Sequence, residues 1–141
     1  MKLLVLNGPN LNLLGRREPE TYGHVSLAAI EKELRDAFPD VSFEFFQSNH
    51  EGDLIDRLQQ SADAGFDGVI INPAGYSHTS VAIRDAISAT DTPVVEVHIS
   101  NIASRERFRH HSVTAAAAVG TISGLGIAGY RLAVTWFLSR K

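Results

Sequence analysis

The chain has 141 residues, 44% hydrophobic and 21% charged, with a net charge of −3. That length suits one domain with a real core, and that charge argues against general affinity for nucleic acid or anionic membranes. With no cysteine, disulfides and thiolate metal sites are excluded. The N-terminal apolar run is too short for a signal-peptide core or a membrane span, so the expected compartment is the cytoplasm.

The elements alternate. Lys2 to Leu6 reads as a buried strand. A breaker-rich stretch follows from Asn7 to Gly23, NGPNLNLLGRREPETYG, which reads as a long loop, and such loops in compact domains are usually functional. Leu27 to Phe38 repeats apolar residues at helical spacing, with Ser26 placed to cap it and Pro39 to stop it. Val41 to Phe46 is β-branched and aromatic, a second strand. A second helix is expected over Leu54 to Ala64, and a short apolar strand over Gly68 to Ile71. A loop from Asn72 to His78 leads to a helix over Ser80 to Ala89, with Ser77 or Thr79 as its cap. Val94 to Ile99 is the fourth strand, and the polar segment to Ser112 has room for a short helix around Arg105. Val119 to Ile122 fits a fifth strand, and Ile127 to Leu138 a last helix that offers Leu132, Trp136 and Leu138 for packing.

Five strands alternating with helices imply right-handed βαβ units. The predicted architecture is a single α/β domain over residues 1–141. It is a flavodoxin-like doubly wound parallel sheet of order 2-1-3-4-5, with helices on both faces. Ligands in such folds bind beyond the carboxyl ends of the strands. The polar clusters after the first, third and fourth strands should therefore share one crevice.

Within that crevice the residue types suggest acid–base chemistry. Arg16 and Arg17 lie a few residues before Tyr22, and a cation beside a phenol favours its anionic form, a usable base. Glu96 and His98 are two apart on a strand, so they share a face. A carboxylate fixes an imidazole's tautomer and supports it as a proton donor. A glutamate inside a valine-rich run also needs a partner. Asn72, Ser77 and His78 precede a helix N-terminus, where backbone N–H groups suit a carboxylate or hydroxyls, and the same logic covers Ile99 and Ser100. Of Arg105, Arg107 and Arg109, the last is the expected inward residue, anchored by Phe108. Six histidines form no metal-binding spacing. Gly124-Leu-Gly126-Ile-Ala-Gly129 matches a dinucleotide fingerprint but lacks the long continuation that cofactor site needs. These glycines are expected to allow close packing instead. No cofactor and no metal are expected. The chemistry that fits is proton abstraction beside a carbonyl with loss of a β-hydroxyl, on a small polyhydroxylated acid. The competing reading is a non-catalytic flavodoxin-like binding module.

The motifs NGPNLNLLGRREPETYG, QSNHEGDLID, INP-x-x-YSHTS, VEVHISN and FRHHS followed by GxISGxGxxGY together resemble type II 3-dehydroquinate dehydratases over essentially the whole chain. The resemblance implies trans dehydration of 3-dehydroquinate to 3-dehydroshikimate in the shikimate pathway, without cofactor or metal. It implies a homododecamer built as a tetramer of trimers. It implies Tyr22 as base, Arg17 as its activator on a mobile lid, Asn10 as holder of an enolate-stabilising water, and His98 supported by Glu96 as acid. Asn72, His78, Ile99, Ser100 and Arg109 would hold substrate, and Asp85 would reach a neighbouring subunit's site. Two departures stand out: Ala74-Gly75 where the family usually has Gly-Ala, and Arg107 where an acidic residue is common.

Overall fold

The computed structural model describes residues 1–140. Its five strands are β1 (Lys2–Asn7), β2 (Ser42–Gln47), β3 (Gly68–Asn72), β4 (Val94–His98) and β5 (Gly120–Ser123). They form one parallel sheet of order β2-β1-β3-β4-β5, the order expected from the alternation. The helices are α1 (Pro19–Tyr22), α2 (Leu27–Ala37), α3 (Glu51–Gln60), α4 (Val81–Ala89) and α5 (Ala128–Ser139).

Strand alternation sends successive side chains to opposite faces. Leu3 and Val5 point to a core shared with Ile30 and Leu34 of α2 and Val134 and Phe137 of α5. Leu4 and Leu6 point to a second core with Leu54 and Leu58 of α3 and Ile83 and Ile87 of α4. Apolar runs without a polar alternation are thus what a sheet covered on both faces demands. Each fully buried leucine or isoleucine contributes about 1.5–3 kcal/mol.

Several local expectations are corrected. The stretch after β1 is not structureless: Leu11–Leu13 makes a 3-10 turn, and Pro19 begins α1. Proline at a first helical position loses no hydrogen bond, so it starts this helix and does not break it. α3 begins at Glu51 and not Leu54. The Ser48 hydroxyl accepts from His50 N–H and donates to Asp53, folding the preceding turn into the helix. Ser80, not Ser77 or Thr79, caps α4, accepting from Ile83 N–H at 2.9 Å. Ser77 instead sits in a 3-10 turn and donates to the Ala74 carbonyl. On α5 the sheet-facing stripe is Tyr130, Ala133, Val134 and Phe137. That i, i+3, i+4, i+7 set leaves Leu132 and Trp136 on the opposite, exposed face, while Leu138 lies partly buried against the core.

Two glycines are close-approach positions. Gly129 packs against Val97 and Ile122, which fits the packing role inferred for this motif. Gly8, directly after β1, donates to the Asn72 carbonyl at 2.8 Å. A Cβ there would meet the Pro73 carbonyl oxygen at 2.5 Å. Gly8→Ala is therefore expected to cost about 1–3 kcal/mol through forced backbone separation. An unchanged urea midpoint would contradict this contact.

Candidate active site

β1 and β3 end in register, Asn7 opposite Asn72. Both side chains point toward α5, where the fully buried Tyr130 meets them. The phenol donates to Asn7 Oδ1 at 2.6 Å and accepts from Asn72 Nδ2 at 3.2 Å. Burial pushes its pKa far up, and the Asn72 bond offsets this only in part, so it remains a neutral donor. The Asn72 Oδ1 accepts from Ala74 N–H. With both ends of the amide engaged, its orientation is set as it lines a cleft beyond the strand ends.

β4 contributes the acid–base pair. Glu96 is completely buried and His98 nearly so. His98 Nε2 lies 2.8 Å from Glu96 Oε2. Since a carboxylate only accepts, Nε2 carries the hydrogen, and Nδ1 is left without a protein partner among the described residues. Ser112 donates to Glu96 Oε2 at 2.7 Å, and Thr114 donates to Oε1. Burial alone would raise the Glu96 pKa. The His98 hydrogen bond and charge, with the two hydroxyl bonds, outweigh it and hold the carboxyl below its ordinary value. The glutamate buried in the strand thus has three partners.

His78 stacks near His98, ring centroids 6.3 Å apart. Its Nδ1 lies 2.9 Å from the His111 carbonyl, so Nδ1 donates. Desolvation lowers its pKa, and the nearby His98 and Arg109 charges add to this against the opposing His111 bond. A neutral His78 with Nδ1–H engaged presents Nε2 as an acceptor to a ligand hydroxyl.

Tyr22, at the end of α1, lines the same cleft. The hydrogen bond to its phenol oxygen comes from Arg105 Nη1 at 2.8 Å. Arg17, the arginine expected to do this, lines the cleft with its guanidinium 5.8 Å from the Tyr22 ring centroid, and lies 3.8 Å from Glu18. Arg105 was not singled out by sequence. It stands between two 3-10 turns, Ile102–Ser104 and Arg107–Arg109. Its carbonyl accepts from His110 Nε2, and its guanidinium also donates to Ser100 Oγ. Arg109 lines the cleft too, with its guanidinium 5.0 Å from the ring centroid of the expected anchor, Phe108, which is itself 68% exposed, and Glu106 also holds Arg109 through Nε.

Asn10, Ile99 and Ser100 complete the lining. Two residues lie elsewhere: Arg16 is exposed, and Asp85 is exposed on α4, away from this chain's cleft. The α4 N-terminus also stays outside, because the 3-10 turn Ala74–His78 intervenes. Ala74 has φ of 53°, a left-handed conformation in which glycine is free of its Cβ cost. The Ala74-Gly75 order thus places a side chain where the backbone would prefer none. Among the described residues no three His, Asp or Glu side chains gather as a metal site would require.

A parallel doubly wound sheet with a buried carboxylate–imidazole pair facing a phenol and guanidinium defines a class of acid–base catalysts acting on small polar molecules. Comparison with known proteins narrows that class. Residues 1–138 match the family model described as dehydroquinase class II, and the chain belongs to that family. It is 59% identical over 135 residues to the 3-dehydroquinate dehydratase of an Exiguobacterium species, covering 95% of this chain and 92% of that one. It is 55% identical to that of Endomicrobium trichonymphae, over 98% of this chain and 97% of the relative. The crystal structure of the type II dehydroquinase from Butyrivibrio crossotus superposes with a TM-score of 0.95 at 43% identity, covering 98% and 97% of the two chains.

The depressed Glu96 pKa has a signed consequence for stability. Its contribution is fully present above the ordinary glutamate value of 4.5 and is lost as pH falls through the lower folded value. Glu96→Gln should therefore flatten the loss of stability on acidification below that value. Urea melts from neutral to acid pH that fall equally in both proteins would refute the linkage.

Proposed function

We propose that this protein removes water from 3-dehydroquinate, the reaction its relatives' names describe, to give 3-dehydroshikimate in the shikimate pathway. The observation that carries this reading is the pairing of two proton-transfer groups in one cleft. On one side is a phenol whose oxygen accepts from a guanidinium. On the other is an imidazole backed by a buried carboxylate. A trans elimination needs a base and an acid on opposite faces of a small ring.

In this reading Tyr22, as phenolate, takes the proton beside the carbonyl and leaves an enolate. Arg105 donates to the Tyr22 oxygen, and Arg17 places a second cation beside the ring. Asn10 holds a water that donates to the enolate oxygen. His98 gives the departing β-hydroxyl a proton from Nδ1, so hydroxide leaves as water, while Glu96 stabilises the imidazolium through Nε2. Arg109 pairs with the substrate carboxylate, together with the backbone of Ile99 and Ser100. Asn72 and the His78 Nε2 bind hydroxyls. All of these line the cleft except Glu96, which stands behind His98.

The assembly proposed is a homododecamer, a tetramer of trimers, in which Asp85 reaches a neighbouring subunit's site. Support comes from the exposed apolar side chains Val81, Val119, Leu125 and Trp136, which a lone chain would leave in water. Val81 lies one turn before Asp85 on α4.

Tyr22→Phe should lower kcat by about 10²–10⁴-fold, with assembly by size exclusion intact. The assay follows ultraviolet absorption of the conjugated enone product. Normal turnover by this variant would remove Tyr22 as base. Arg105→Ala should lower kcat, because the phenol loses its only side-chain donor among the described residues. The same substitution at Arg17, which makes no hydrogen bond to the phenol, should lower it less. Full kcat in Arg105→Ala would show that the phenol does not depend on that guanidinium.

A further inference from the structure

The segment QSNHEGDLID begins at the last residue of β2, and none of the catalytic or binding roles above uses it. Its Asn49 nonetheless touches the cleft floor. Asn49 Oδ1 accepts from the backbone N–H of Asn10 at 3.0 Å and from Gln47 Nε2 at 3.2 Å. The same Gln47 nitrogen donates to the Gly8 carbonyl at 3.2 Å. The Asn49 carbonyl accepts from the Tyr76 hydroxyl at 2.8 Å, which fixes the turn that presents the side chain. The Gly8–Asn10 segment is therefore held from two strands: by Asn72 of β3 on one side, and by Gln47 of β2 and Asn49 beyond it on the other.

That hold coincides with an unusual backbone. Asn10 has φ of 67° and ψ of −6°, left-handed geometry that asparagine tolerates better than most residues but does not favour. Its side chain lines the cleft with no protein hydrogen-bond partner among the described residues. Nothing attached to the Asn10 amide itself thus sets its direction; its backbone does, and the donor of that backbone is claimed by Asn49. We infer that Asn49, steadied by Gln47, is a positioning residue for the reaction, holding Asn10 in the left-handed conformation that aims its amide into the cleft. It touches no reacting atom. This inference rests on the proposed role of Asn10 at the enolate.

Asn49 is exposed, so its substitution endangers folding little. Its Nδ2 makes no protein hydrogen bond among the described residues, and aspartate keeps the accepting oxygen. The experiment measures kcat and KM for Asn49→Ala, Asn10→Ala, the double variant and Asn49→Asp. Asn49→Ala should lower kcat about three- to tenfold, the effect one solvent-accessible hydrogen bond controls, with KM changed less than about twofold. It should cost nothing further in the Asn10→Ala background, since a residue acting only through Asn10 loses its effect with it. Asn49→Asp should restore most of the lost kcat. Full kcat in Asn49→Ala overturns the inference while the enzyme reading stands. So does an equal proportional loss in both backgrounds, which marks a general structural role. An Asn10→Ala variant with unchanged kcat removes the enolate role of Asn10, and the inference with it.

Discussion

Buried polar groups must be partnered, and this constraint organises the carboxyl end of the sheet. Asn7, Asn72 and His98 end β1, β3 and β4, Glu96 stands two residues before the end of β4, and all four are buried. Unpaired, each such group would cost on the order of 1–3 kcal/mol or more. The fold meets the demand with groups from far along the chain. Tyr130 of α5 bridges Asn7 and Asn72, while Ser112, Thr114 and His98 surround Glu96. Because the same bonds orient Asn72 and His98 toward the cleft, satisfying the core and shaping the site are one arrangement. The parallel register brings the strand ends to one level, so these arrangements face a common space.

The two walls of the cleft differ in character. On the strand-end wall the buried Asn72 and His98 are each oriented by neighbouring hydrogen bonds. The wall that follows β1 stands on short elements, a 3-10 turn and the four-residue α1. Its charged residues, Arg17 and Glu18, are substantially exposed. Arg105 connects the walls. It rises from the segment after β4 and reaches Tyr22 and Ser100 together, with Glu18 4.0 Å away. A guanidinium suits this position because its planar fork offers several donors at once. The imidazole–carboxylate pair is thus built into the sheet, whereas the phenol–guanidinium pair is made by contact between α1 and the segment after β4.

Some of this was legible in the residues. The strands read clearly because a doubly covered parallel sheet requires unbroken apolar runs, and Val94–His98 betrayed Glu96 by contrast. The strand period of two also placed Glu96 with His98. The first helix announced itself through Ser26, which does accept from Ala29 N–H. The illegible parts depended on geometry with no fixed period. Which of Arg105, Arg107 and Arg109 turns inward depends on two 3-10 turns, and which arginine meets Tyr22 depends on where α1 sets its last residue. Leu132 and Trp136 looked fit for packing, but α5 meets the sheet along Tyr130, Ala133, Val134 and Phe137.

By itself the sequence determined the order of strands and helices, the polar character of three strand ends, and, through motif resemblance, the family. Those properties follow from local pattern and from residue types that few folds tolerate together. Tertiary structure alone decided that Arg105 donates to Tyr22, that Tyr130 partners Asn7 and Asn72, and that Asn49 holds the backbone of Asn10. Each joins residues from 39 to 123 positions apart. A hydrogen bond across such a separation leaves no spacing signal in the chain, because its distance and angle are set by how whole elements dock.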